Sequence, residues 1–326
     1  MKTKLLRLLN DKRGEFVSGE SIAETFGVTR AAVWKAIDSL RKDGHVIEAV
    51  TNKGYRLVNQ SDALTESGIR LNLKEGSRVH RVICLAEVDS TNNYAKKLAL
   101  AGAEHGTLVA ADRQTAGRGR RGHTFESPAG TGLYMTLILK PKVDAERFQM
   151  ITIADAVAVC LAVEDLYPEA RGKLGIKWVN DIFFRGRKIT GILTEAVTNF
   201  ENGEIDSVVT GIGINVSAHK FSVDTAGSIF EGETPAFGRN ELCARVADYI
   251  MDFAEDLEAP SLINAYRERS ILVGKHITFM KNEAKCTGFV EGIDDAGGLV
   301  ILNDAGKLET LRSGEVFMVR PEEMTS

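Results

Sequence analysis

The 326-residue chain has only four cysteines and no long apolar run. Cys84, Cys160, Cys243 and Cys286 are far apart and form no Cys-x-x-Cys pair, so neither a disulfide framework nor a zinc ribbon is suggested. They read as small apolar residues of a reducing compartment. No stretch approaches the ~18 apolar residues of a membrane span. Leu5-Leu6-Arg7-Leu8-Leu9 reads as a short amphipathic helix, too brief and interrupted for a signal peptide. The expected location is the cytoplasm, with no membrane partner. Gly-Lys-Ser/Thr never occurs, which disfavours a Walker loop, and neither a Ser-His-Asp set nor a metal-ligand cluster stands out. Charge of one sign is also scarce: 45 acids against 41 bases give a formal −4, which alone argues against nucleic-acid binding.

What is present is unevenly distributed. Residues 1–60 hold eleven bases and seven acids, net +4, and residues 61–326 hold 30 bases and 38 acids, net −8. A hydrophobic content of 44% with 26% charged residues is globular. The length fits two to three domains of roughly 100–200 residues each.

In the basic module, Ser18 can cap one helix, Gly27 can stop it, and Thr29 can cap the next. At about 100° per residue, Val33, Ile37 and Leu40 share a stripe with Ala36 beside it. Ala31, Trp34, Lys35, Asp38 and Lys42 point away. An ordinary helical hairpin has no reason to expose Trp34 beside Arg30, Lys35 and Arg41. A helix entering a major groove does, and small Ala31 permits close approach. His45–Val58 reads as a hairpin turning at Asn52-Lys53-Gly54, with Lys53 and Arg56 as its basic residues. The pattern predicts a winged helix-turn-helix that binds DNA through Arg30, Ala31, Trp34, Lys35, Arg41, Lys53 and Arg56.

Residues 61–70 are polar and punctuated, and read as a linker. Strand-like Val79–Val88 runs into Asp89-Ser90-Thr91-Asn92-Asn93 before a helix, where such side chains either cap the helix or hydrogen-bond a polar head group. Strand Thr107–Ala111 leads through Asp112-Arg113-Gln114-Thr115 to Ala116-Gly117-Arg118-Gly119-Arg120-Arg121-Gly122-His123, where glycines alternate with arginines. Glycines let backbone N–H groups close on an anion, and arginines supply forks matched to phosphate or carboxylate. A strand, Gly132–Leu139, follows, so a dinucleotide fold is disfavoured and a loop folding over an anionic ligand remains. After a helix near Phe148–Leu166, Ile176–Phe184 reads as an alternating strand with Lys177 and Val179 on one face and Trp178 and Asn180 on the other. Lys177 can then project into a pocket, while Asp181 either ligates Mg²⁺ or pairs with Arg185 or Lys188. Strands Ile189–Glu195 and Ser207–Val216 complete the sheet.

Four segments carry a resemblance: Asp89-Ser90-Thr91-Asn92, Gln114 through Arg120, Lys177-Trp178-Val179-Asn180-Asp181, and Gly211-Ile212-Gly213-Ile214-Asn215. In order and spacing the sequence resembles the biotin protein ligases, specifically the bifunctional bacterial kind that also represses the biotin operon. The resemblance implies an α+β chain in three parts. Residues 1–62 would be the winged helix-turn-helix, 63–270 a mixed α/β catalytic domain like a class II aminoacyl-tRNA synthetase, and 271–326 an SH3-like β-barrel.

It also implies that biotin and ATP-Mg²⁺ give biotinyl-5′-adenylate, and that a lysine of the biotin carboxyl carrier domain of acetyl-CoA carboxylase or a related carboxylase then takes the biotinyl group. Biotin would be held by Ser90, Thr91, Asn92, Gln114, Arg118, Gly119, Arg120 and Lys177. The nucleotide would meet Arg118, Arg120, Phe125, Lys177, Asn180 and Asn215, with Arg120 and Lys177 as the catalytic pair. No protein metal site is implied. Operator DNA and a homodimer formed on binding the adenylate complete the expected partners. His123 and Phe125 stand where the family usually has a basic residue and a tryptophan, and Val179 where it has proline. A smaller aromatic face at Phe125 puts nucleotide affinity in question.

From Val273 onward, Lys275–Met280, Cys286–Ile293, Leu299–Leu302 and Gly314–Val319 read as short strands of a small barrel. The polar stretch 217–231 has no periodicity. With 114–126 it is expected to order over biotinyl-adenylate, so that ligand changes dimer affinity and operator binding. The competing readings are a ligand-sensing regulator without ligase activity and a lipoate-protein ligase.

Overall fold

The computed structural model describes residues 1–12, 14–59, 62–141, 147–198, 205–281 and 284–318. Helices α1 (Lys2–Asp11), α2 (Gly19–Phe26) and α3 (Arg30–Lys42) precede the antiparallel pair β1 (Val46–Val50) and β2 (Gly54–Asn59). The Ser18 hydroxyl accepts from the Ser21 N–H, Thr29 accepts from the Ala32 N–H, and Gly27 ends α2 at φ 62°. These are the caps expected from the sequence. Val33, Ile37 and Leu40 pack with Leu5, Leu6, Leu9, Ile22, Ile47 and Leu57 into a separate small core. Each such burial contributes about 1.5–3 kcal/mol relative to exposure. At Gly54, φ is +104° and a Cβ would lie 2.1 Å from the Val17 carbonyl oxygen, so the wing closes on the Val17–Tyr55 bridge only with glycine there.

The linker expected over 61–70 is corrected. Gln60 and Ser61 lie outside the described residues, but Glu66–Asn72 forms helix α4, with the Thr65 hydroxyl accepting from the Gly68 N–H. Ser-Gly inside the segment looked like punctuation, yet Thr65 followed by Glu66 is a helix-start signal. Ile69 belongs to the main core and Leu71 packs on the small one, so α4 is a strut between the two.

The central unit contains β3 (Arg81–Val88), α5 (Thr91–Leu100), β4 (Thr107–Gln114), β5 (Gly132–Leu139), α6 (Phe148–Leu166), β6 (Leu174–Lys177), β7 (Asp181–Phe184), β8 (Arg187–Thr198), β9 (Ile205–Asn215), α7 (Arg239–Phe253) and α8 (Pro260–Glu268). Its seven strands run β3-β4-β5-β9-β8-β7-β6, with β3 and β4 parallel and every other pair antiparallel. Every residue of β5 is buried, its apolar side chains interrupted only by Gly132 and Thr136. Helix α6, apolar on all sides, is buried along nearly its whole length.

A second correction falls at 176–184. The strand stops at Lys177, which pairs with Asp181 across a hairpin, so 178–180 is the turn. Trp178 and Val179 are both buried, whereas Lys177 and Asn180 are both half-buried. Strict alternation fails because the chain reverses there.

The last unit is a five-stranded antiparallel sheet of β10 (His276–Lys281), β11 (Ala284–Ile293), β12 (Leu299–Asn303), β13 (Leu308–Leu311) and β14 (Val316–Met318), ordered β13-β12-β11-β10-β14. Strand β13 was not read from the sequence, and Val319 lies outside the described residues. Among the described residues no helix is long and apolar enough to cross a membrane.

Candidate active site

A cavity of about 640 Å³ lies where the N-terminus of α5, the arginine-glycine loop, strands β8 and β9 and the turn before β14 converge. Its floor is made of glycine. Gly191 pairs with Gly213 across β8 and β9, and Leu193 pairs with Gly211. A Cβ on Gly213 would lie 2.4 Å from Phe125 Cε1, and one on Gly211 would lie 1.9 Å from Asn92 Oδ1. The bare strands therefore let the Phe125 ring and the start of α5 rest directly on the sheet. Phe125 also meets Tyr134 edge to face, with centroids 6.4 Å apart.

One end of the cavity is polar and neutral. The Thr91 N–H and hydroxyl donate to Gln114 Oε1 at 2.9 and 3.1 Å, and Gln114 Nε2 donates to the Ser127 hydroxyl at 2.8 Å. Ser90 occupies the N-cap position of α5 but makes no capping bond, and it lines the cavity instead. Asn92 is more committed than expected: its amide donates to the Leu193 carbonyl at 3.0 Å and to Glu195 at 2.9 Å, while its oxygen accepts from Thr136 at 2.7 Å. It holds the floor together and has no N–H left for a head group. Burial pushes the Glu195 carboxyl up, but hydrogen bonds from Lys96 and Asn92 prevail and hold it below its ordinary value.

The other end is cationic. Gly119 donates to the His123 carbonyl at 2.7 Å, and Arg120–Gly122 form a single 3₁₀ turn. Arg118 reaches back towards α5, donating to Asn93 at 3.0 Å and lying 3.6 Å from Glu195, whereas Arg120 donates to Asn180 Oδ1 at 3.2 Å. Lys177 Nζ sits 5.3 Å above the Phe317 ring, and among the described residues it has no carboxylate partner. Burial lowers the pKa of both Lys177 and Arg120. The sequence left Asp181 open between metal and ion pair; the structure pairs it with Lys188 at 2.7 Å, while Arg185 pairs with Glu233 at 2.9 Å. Asn215 donates to the Gly227 carbonyl at 3.0 Å, and its buried oxygen has no hydrogen-bond partner among the described residues. The polar stretch after β9 folds back over the cavity, bringing the Ser222 N–H to 3.3 Å from Glu126.

Sequence reasoning missed Asn93, Ser127, Glu195 and Phe317. It quoted Gly211 and Gly213 without seeing that glycine at alternate positions strips one face of β9, a signal that was there to read.

On the winged helix, Arg30, Ala31, Lys35 and Lys53 are exposed, and Trp34 is 58% exposed. The other two basic residues expected at DNA, Arg41 and Arg56, have partners within the module. Arg41 donates to the Ile47 carbonyl through Nε and Nη2, at 3.0 and 2.7 Å, fastening α3 to β1. Arg56 is paired with Glu48 and lies 4.5 Å over the Phe16 ring.

Three family models match: the biotin/lipoate A/B protein ligase family over residues 84–215, an HTH domain over 2–56, and the biotin protein ligase C terminal domain over 272–319. The bifunctional ligase/repressor BirA of Bacillus subtilis is 42% identical over 218 residues, which span 67% of this chain and 65% of that protein. BirA of Escherichia coli is 30% identical over 326 residues, covering 97% of this chain and 96% of its own. The chain belongs to the bifunctional biotin protein ligase/repressor family. Among solved structures, the biotin protein ligase of Aquifex aeolicus in complex with biotin and ATP matches at a TM-score of 0.60 and 27% identity, covering 74% of this chain and 99% of that one.

Proposed function

We propose that this protein activates biotin with ATP as biotinyl-5′-adenylate, passes the biotinyl group to a lysine of a biotin carboxyl carrier domain, and represses transcription through its winged helix. The observation that carries this reading is the two-ended cavity: neutral hydrogen-bonding groups at Ser90, Thr91 and Gln114, and a desolvated cationic end at Arg120 and Lys177.

A carboxylate is a poor acyl donor. In the first step its oxygen attacks the α-phosphorus of ATP, the bond to the β-phosphate breaks, and pyrophosphate leaves with the electron pair. In the second, the acceptor amine attacks the acyl carbon, AMP leaves, and the amine gives up a proton. Arg120 and Lys177 would neutralise the crowded carboxylate and α-phosphate. Exclusion of water strengthens that attraction. The Phe125 face would carry the adenine, and the unpartnered Asn215 oxygen would accept from its amino group. Ser90, Thr91 and Gln114 would bond a ureido ring. The dithiolane ring of lipoate offers them neither N–H nor C=O, which favours biotin.

Mg²⁺ would enter on the phosphates of ATP. Among the described residues no group of three or more His, Cys, Asp or Glu could hold it, and Asp181 is engaged by Lys188. Adenylate-dependent homodimerisation belongs to the same proposal, as do the domain limits near residues 62 and 270.

Biotin-dependent adenylate formation tests the reading. Lys177→Ala should slow it by about 10²–10³-fold while leaving the winged helix folded; an unchanged rate would refute the role given to Lys177.

A further inference from the structure

Arg239, at the start of α7, is 4% exposed, and its guanidinium holds two distant parts of the chain at once. Towards the ligand site, Nη1 donates to Asp112 at 2.6 Å and to the Gly132 carbonyl at 3.1 Å. Asp112 also accepts from the Gly130 N–H at 3.3 Å, so these contacts fix both roots of the segment carrying Gln114, Arg118, Arg120 and Phe125. Towards the winged helix, Nε donates to the Asp62 carboxylate at 2.7 Å, Nη2 to the Asp62 carbonyl at 3.0 Å, and the Arg239 N–H to Asp62 Oδ1 at 2.8 Å. Asn240 extends the grip, accepting from the Thr65 N–H at 3.0 Å and donating to the Ala63 carbonyl at 2.9 Å.

From there the contacts continue. Thr65 caps α4, and the Ser67 hydroxyl donates at 3.1 Å to Asp43, the residue that ends α3. Lys2 of α1 meets the same carboxylate oxygen at 2.5 Å.

We infer that Arg239 is a positioning residue that couples the arrangement of the 114–130 loop to the setting of the winged helix. The inference rests on the proposed ligand-responsive repressor and adds the residue that carries the signal within one chain. Its physical basis is the rigidity of a planar guanidinium fork. When the loop closes on an anionic ligand, a shift of Asp112 and Gly132 must either break the Nη1 bonds or turn the fork, and turning moves Asp62. A lysine could swivel on one partner without disturbing the other. Spatial continuity alone does not establish coupling, so the test reads the response to ligand and not stability.

Hydrogen–deuterium exchange of residues 62–72 and 30–45 is measured on the full chain before and after biotin plus ATP-Mg²⁺, beside adenylate yield. The native chain should change exchange in both segments severalfold on ligand addition. Arg239→Met and Asp62→Ala should each reduce that change to less than about twofold, with adenylate formation within a few-fold of native. If Arg239→Met fails to fold, Asp62→Ala, at a carboxylate 54% exposed, carries the test. Adenylate formed without any exchange change in the native chain, or a full response in Asp62→Ala, overturns the coupling and leaves the ligase reading intact. No adenylate from the native chain overturns the ligase reading and the coupling with it.

Discussion

An alanine at Gly213 would place its Cβ 2.4 Å from Phe125 Cε1, and one at Gly211 would reach to within 1.9 Å of Asn92 Oδ1. Because one substitution presses on the Phe125 ring and the other on Asn92, the two should separate the cavity's substrates. Gly213→Ala is expected to raise the KM for ATP about tenfold, the loss of ~1.4 kcal/mol, with a smaller change for biotin. Gly211→Ala should do the reverse, and steady-state kinetics with each substrate varied would decide it. Lys177 makes a pH prediction. Burial lowers its pKa from the ordinary 10.5, so the ammonium is lost at a lower pH than an exposed lysine would lose it. Adenylate formation should therefore fall on the alkaline side before pH 10.5, and in Lys177→Arg that limb should move up even if the plateau rate drops. An unmoved limb would assign the alkaline loss to another group. The placement of Lys177 and Arg120 at one cavity was legible in the sequence because a cation beside glycines or between apolar strands has few other uses. Asn92, Arg41 and Arg56 were not, since their partners lie on other elements: Leu193 and Glu195, the Ile47 carbonyl, and Glu48 with Phe16.

Helix α6 carries an oddity for its apolar surroundings. Asp155 is fully buried, with Oδ2 accepting from Thr210 and, at 3.4 Å, from Thr194, while Oδ1 has no partner among the described residues. Burial pushes its carboxyl from 3.8 up to about 7. The folded chain then holds a proton that the unfolded chain releases near pH 4. The stability tied to this group is complete below pH 4 and is lost progressively as pH rises to about 7. Asp155→Asn should match the native protein at pH 4 and melt at a higher temperature at pH 8, a difference of roughly a few kcal/mol at most. Equal melting temperatures at both pH values would show that the carboxyl is not held neutral. Among the elements, α1, α2, α3, β5 and α6 were readable because capping signals or long apolar runs are local. Helix α4 was hidden because Ser67-Gly68 resembles a turn although Thr65 and Glu66 signal a helix start, and the turn at 178–180 because its residues, Trp178, Val179 and Asn180, carry no Gly or Pro to mark a reversal.

At the scale of the whole molecule, the formal charge of −4 combines a basic first sixty residues with an acidic remainder. Exposed Arg30, Trp34, Lys35 and Lys53 would give the winged helix its face for DNA, and Arg120 and Lys177 of the larger unit reach one cavity. Trp34→Ala combined with Lys35→Ala should weaken DNA binding at least tenfold and lower its salt dependence without altering adenylate formation. A parallel loss of both activities would mean that the face serves folding and not DNA. The central claim concerns chemistry, and acyl transfer tests it most directly. The protein is incubated with ATP-Mg²⁺, a biotin carboxyl carrier domain, and either biotin or lipoate, and the carrier is weighed by mass spectrometry. The account predicts that the carrier gains one biotinyl group, gains nothing from lipoate, and stays unmodified when Lys177→Ala replaces the native chain. A carrier left unmodified by the native protein, or modified by lipoate instead, would contradict it.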